Sequence, residues 1–92
     1  MVLTEIHNGD EAYLTRTITL DAEGVVVERT PARVAMGRHA WLEFALDAGY
    51  IVRVLAEVVG RSATATRYRF THFWPRDRRI YLRRLKALRA AA

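Results

Sequence analysis

Between Val2 and Phe73 the chain is a series of short runs in which polar and apolar residues alternate with a period of two, and at Pro75 the spacing becomes helical. Successive strand side chains point to opposite faces, so such alternation specifies half-buried strands. Val2–Ile6 is a short β-prone run. The turn residues His7-Asn8-Gly9-Asp10 end it, because Asn tolerates positive φ and Gly adopts it freely. In Tyr13–Leu20 the alternation predicts Leu14, Arg16, Ile18 and Leu20 on the core side, with Tyr13, Thr15, Thr17 and Thr19 opposite. Arg16 is then an anomaly on an apolar face. A turn at Asp21–Gly24 precedes a strand over Val25–Arg29, which Thr30-Pro31 interrupts, since proline cannot donate to a ladder.

His39–Leu46 alternates again, with Leu42, Phe44 and Leu46 on one face and Trp41 and Glu43 on the other. A tight connection is expected at Asp47-Ala48-Gly49. In Tyr50–Val59 the inward set is Val52, Val54, Ala56 and Val58, with Arg53 and Glu57 outward; a turn follows at Gly60–Ala63. Thr64–Phe73 sets Tyr68, Phe70 and His72 against Arg67, Arg69 and Thr71. Six strands joined by short turns predict an antiparallel barrel or sandwich, a mainly β fold.

Pro75 suits the first helical position, where its missing N–H costs nothing. Asp77 in the first turn and Arg89 near the far end complement the helix dipole. Tyr81, Leu85 and Leu88 form one stripe, and Arg76, Arg79, Arg83 and Lys86 fall on the opposite side. The expected organisation is one domain over residues 1–92, a barrel to about residue 74 and a helix over about 75–91, with fraying at Ala90–Ala92.

Charge is placed unevenly. Residues 1–28 hold one Arg and six acids, whereas from Arg61 onward there are nine Arg, one Lys and only Asp77 as an acid. The net charge is +5, and an end-weighted positive field attracts polyanions or an acidic partner. The absence of cysteine excludes disulfides, thiolate metal sites and a cysteine nucleophile. No apolar stretch approaches the roughly 20 residues of a membrane span, and the first residues lack a signal-peptide pattern, so a cytoplasmic protein without membrane insertion is expected.

Catalytic and metal-binding patterns are missing. His7, His39 and His72 are dispersed, on a turn and two strands, and are expected as surface or half-buried residues without metal-ligand spacing. Ser62 is the only serine and lies in a turn. The glycines are isolated turn residues with no phosphate-cradling loop. No enzyme, metal or obligatory cofactor is expected. Arg67 to Trp74 interleaves arginines with aromatics, the composition of a stacking surface for nucleic acid. Alternation, however, assigns Tyr68 and Phe70 to the core. Trp41 points away from the core, as a partner interface would require; packing beneath the C-terminal helix is the preferred reading.

From Thr19 to Leu88 the order of signals resembles the PilZ domain family, known for binding the bacterial second messenger cyclic di-GMP. In that family a D/N-x-S-x-x-G motif ends a strand. A proline-containing loop, an apolar-acidic strand, a valine-rich strand, an aromatic strand and a final helix come after it. Thr19-Leu20-Asp21-Ala22-Glu23-Gly24 occupies the motif, and Arg29-Thr30-Pro31 opens the loop. Trp41-Leu42-Glu43-Phe44, Val52–Val59, Tyr68-Arg69-Phe70 and Trp74-Pro75-Arg76-Asp77-Arg78-Arg79 complete the series. The resemblance implies a six-stranded antiparallel PilZ-like barrel with a C-terminal helix.

The departures bear on function. The family's R-x-x-x-R pair, which clamps guanine and phosphates, has no counterpart before Val2. Only Gly24 matches the second motif. Thr19 stands for Asp/Asn, and Asp21 stands for Ser and brings a negative charge towards a phosphate. The resemblance therefore implies a non-catalytic signalling adaptor in bacterial motility or surface signalling, acting through protein contacts with weak or absent cyclic di-GMP binding. The degenerate nucleotide positions are Arg16, Thr19, Asp21 and Gly24; the partner-binding candidates are Trp41, Arg76, Arg79, Arg83 and Lys86. Arg16 would either contact a phosphate from the barrel mouth or, the preferred reading, pair with a neighbouring carboxylate. The alternatives are a competent receptor using Arg16 with Arg29 or Arg33, and a basic nucleic-acid-binding barrel. Trp41 or the helix seam would equally serve a homodimer.

Overall fold

A computed structural model describes residues 1–47 and 50–91. Six strands run β1 (Val2–His7), β2 (Glu11–Leu20), β3 (Gly24–Glu28), β4 (His39–Asp47), β5 (Tyr50–Arg61) and β6 (Ala65–Phe73), followed by α1 (Pro75–Ala91). They form a closed antiparallel barrel in the order β1-β2-β3-β6-β5-β4, sealed by the β1–β4 pair. Closure gives each of the described strands a neighbour on both sides. The expected fold class, strand count and C-terminal helix are all present. Residues 48–49 of the expected connection, the side chain of Leu46 and the fraying expected at Ala92 fall outside the described residues.

The interior follows the valine-rich strand. Val52, Val54, Ala56 and Val58 are fully buried, facing Leu3, Val27, Leu42 and Phe44. Each such valine or leucine side chain contributes about 1.5–3 kcal/mol on burial. The helix covers one end. Tyr81 is 1 % exposed and lies 5.3–5.4 Å, ring to ring, from Phe44, Phe70 and Phe73. Leu85 extends the contact, while Leu88, the third member of the stripe, is 36 % exposed. Asp77 fastens the helix start to β5, accepting from the Tyr50 hydroxyl (2.8 Å) and the Arg53 N–H (3.2 Å).

Strand order makes the chain cross the other end. β3 neighbours β2 and β6, β4 neighbours β5 and β1, and the connection over residues 29–38 must therefore pass over the barrel opening. Within this crossing Ala32 is buried and Val34 packs on the core. The Arg61 guanidinium holds this crossing by donating to the carbonyls of Val34 (2.7 Å) and Ala32 (3.0 Å). Arg61 itself lies in β5, which continues two residues past the start of the expected turn; the bend falls at Ser62–Thr64.

Bulges correct two of the expected faces. In β2, Thr17 pairs with Val27 and Thr19 with Val26, so Ile18 is an extra residue and the facing reverses there. Leu20 points to the core as expected, but Leu14, Arg16 and Ile18 point outward, and Thr15 is buried in their place. Arg16 is thus an ordinary outer-face residue. In β6, Phe70 pairs with Ala56 and His72 with Leu55, so Thr71 is extra. Phe73 turns inward and His72 outward.

Candidate functional site

The Thr19–Gly24 corner is built mainly from its own backbone. The Asp21 carboxylate accepts from the N–H groups of Glu23 and Gly24, each at 2.8 Å, forming an Asx-type turn. The Asp21 carbonyl accepts from the Tyr81 hydroxyl (2.8 Å), and the Glu23 carbonyl accepts from the Phe70 N–H (2.8 Å). Burial holds the Tyr81 phenol well above its ordinary pKa, so it stays a donor. A Cβ at Gly24 would collide with the Tyr68 carbonyl oxygen. Gly24 is needed for the close approach of β3 to β6, and Asp21 for the turn that leads into it.

Thr19, Asp21 and Gly24 do line one open groove, together with Glu23, Arg67 and Arg69. Arg69 is paired with Glu57 at 2.6 Å. Arg16 lies in a different hollow, beside Val2, Leu14, Arg29 and Pro31. The four expected nucleotide positions are therefore split between two surface depressions. No carboxylate lies within 4 Å of the Arg16 guanidinium among the described residues, so the expected ion pair is not formed. The alternative partner Arg29 shares its hollow but donates to the Ser62 carbonyl (2.9 Å); Arg33 does not line it.

The partner-binding candidates also separate. Arg79, Arg83 and Lys86 are exposed on α1 and make no ion pair among the described residues. Arg76 stacks over the Tyr50 ring at 5.1 Å. Trp41 is not under the helix. It is half-buried on the outer wall, where its strand neighbours are Ile6 and Leu55. Arg53 lies over its ring at 5.9 Å while its Nε donates to Glu43 (2.8 Å).

A polar cluster is buried inside the barrel, where the sequence pattern predicts none. Glu5 is 2 % exposed and accepts from the hydroxyls of Thr30 (2.6 Å) and Tyr68. His7, expected as a surface or half-buried residue on a turn, is instead the buried last residue of β1. Its Nε2 is 3.9 Å from the Glu5 carboxylate and has no hydrogen-bond partner among the described residues. Burial pushes the His7 pKa below the usual imidazole value, against the opposing pull of Glu5 and Glu11. Burial, and then the bond to Glu5, raises the Tyr68 phenol well above its ordinary value. The signal available in sequence was inward parity: Leu3, Glu5 and His7 alternate on β1.

No protein-family model matches this chain, and no curated protein matches it in sequence.

Proposed function

We propose that this chain is a non-catalytic PilZ-like adaptor domain, acting through protein contacts in bacterial motility or surface signalling within the cytoplasm, with weak or absent cyclic di-GMP binding. The observation that carries this reading is the state of Asp21. Its carboxylate is committed to two backbone N–H groups at the position where an anionic ligand would want a donor, and a phosphate there would meet its negative charge. The placing of Arg16 in one groove and of Thr19, Asp21 and Gly24 in another supports the same conclusion. A calorimetric titration with cyclic di-GMP tests it. The expected result is no saturable heat at micromolar ligand; micromolar or tighter binding sinks the reading.

Two observations favour other readings. Arg16 and Arg29 line one hollow, as a receptor with a non-standard arginine pair would need; R16E would then abolish measured binding. The cations of α1, which form no ion pair among the described residues, suit a polyanion such as nucleic acid, whose affinity would fall steeply with added salt.

A further inference from the structure

Three apolar side chains stand where a solvated barrel has no use for them, one of them placed outward by the reversal of β2. Leu14 is 73 % exposed, Val2 45 % and Leu88 36 %. These three are not scattered. Together with Ala45 they floor a groove of about 460 Å³ between the β1–β2–β4 wall and the last turns of α1. That volume is in the range of recognition pockets, roughly 300–1,000 Å³. Val2 and Leu14 continue into the neighbouring hollow that holds Arg16 and Arg29. Contiguous apolar surface on a small domain marks a contact site more often than isolated exposed residues do.

The charges around this floor select the occupant. Arg84 stands on the helix side, and Arg16 and Arg29 on the other. Arg84 and Arg16 have no carboxylate within 4 Å among the described residues. Of the two acids on the rim, Glu43 is already neutralised by Arg53, leaving Glu28 against three arginines. A second copy of this chain would bring arginine against arginine across the floor, at a net charge of +5 per molecule.

We propose that this groove docks an acidic amphipathic segment of a partner protein. An aliphatic or aromatic side chain of the partner enters between Val2, Leu14 and Leu88, and its flanking carboxylates meet Arg84 and Arg16. Apolar burial supplies affinity and the arginines supply orientation and sign selectivity. This deepens the adaptor reading and rests on it only for the idea that a protein is the partner.

The test uses three fluorescent peptides of equal length at physiological salt: one of Leu and Glu in helical amphipathic spacing, one with Ser replacing Leu, and one with Lys replacing Glu. The Leu/Glu peptide binds the full chain, and the other two bind at least about tenfold more weakly. L14E and R84E each weaken the Leu/Glu peptide about tenfold, whereas R79E, on the outer side of α1, leaves it unchanged. Leu14 is mostly solvated, so its substitution leaves the barrel folded, and R84E serves as an independent probe. No binding by the Leu/Glu peptide, or equal binding by the Ser/Glu peptide, overturns the groove. Equal losses in R79E and R84E would move the contact to the helix back and overturn it while leaving the adaptor reading intact. A wild-type dimer in sedimentation that L14E converts to monomer would assign the floor to a second copy instead. Micromolar cyclic di-GMP binding would fall on the adaptor reading and leave the groove untouched.

Discussion

The Tyr68 hydroxyl donates a hydrogen bond to the Glu5 carboxylate inside the barrel, linking β6 to β1 across the interior although the two strands are not neighbours in the sheet. Thr30, from the crossing over residues 29–38, donates to the other oxygen. One buried carboxylate therefore ties two walls and one end of the barrel together. A buried charge is tolerated only when such bonds replace its water.

Removing one donor should cost more than an average hydrogen bond, because the carboxylate is left short of a partner. Tyr68→Phe should lower unfolding free energy by about 2 kcal/mol while keeping the fold. Urea denaturation checks this. A change near zero would mean that the Glu5–Tyr68 link is energetically idle.

Stability should fall on mild acidification through His7. Its folded pKa is depressed below the unfolded value of 6.5, so the unfolded chain binds the extra proton first. Stability contributed by keeping the imidazole neutral is present above 6.5. It is lost as pH drops below 6.5 towards the folded pKa. Melting curves across that window should show a steeper decline for the wild-type chain than for His7→Phe. Parallel curves would contradict a buried neutral imidazole.

Gly24 should be intolerant of even one added methyl group. The Cβ of Gly24→Ala meets backbone rather than a flexible side chain, so β3 and β6 must part. A loss of about 3 kcal/mol is expected, without any ligand being involved. Wild-type stability in thermal melts would show that the close approach relaxes freely.

The six strands and the helix were legible because turn residues and a change of period separate them. Sidedness was legible wherever the register runs without a bulge, as in Val52 to Val58. It failed at Leu14, Arg16, Ile18 and His72 because single extra residues, Ile18 and Thr71, shift the pleat, and no local composition marks them. Arg16 looked anomalous only because the reversal at Ile18 was invisible. The burial of Glu5 and His7 was not legible for another reason. Burial of Glu5 depends on donors from Thr30 and Tyr68, which lie 25 and 63 residues away, and burial of both residues depends on a barrel closed by the β1–β4 pair. Thr19, Asp21 and Gly24 were identifiable as a corner with a resemblance to a ligand motif. The two N–H bonds that engage Asp21, and the carbonyl that Gly24 must clear, appear only in three dimensions.

The central claim is that this corner serves the fold and not a nucleotide. Backbone amide shift mapping of the full chain during addition of cyclic di-GMP tests it most directly. The account predicts that the amides of Thr19 to Gly24 and of Arg67 and Arg69 keep their positions throughout. Saturable shifts concentrated on those residues would contradict it.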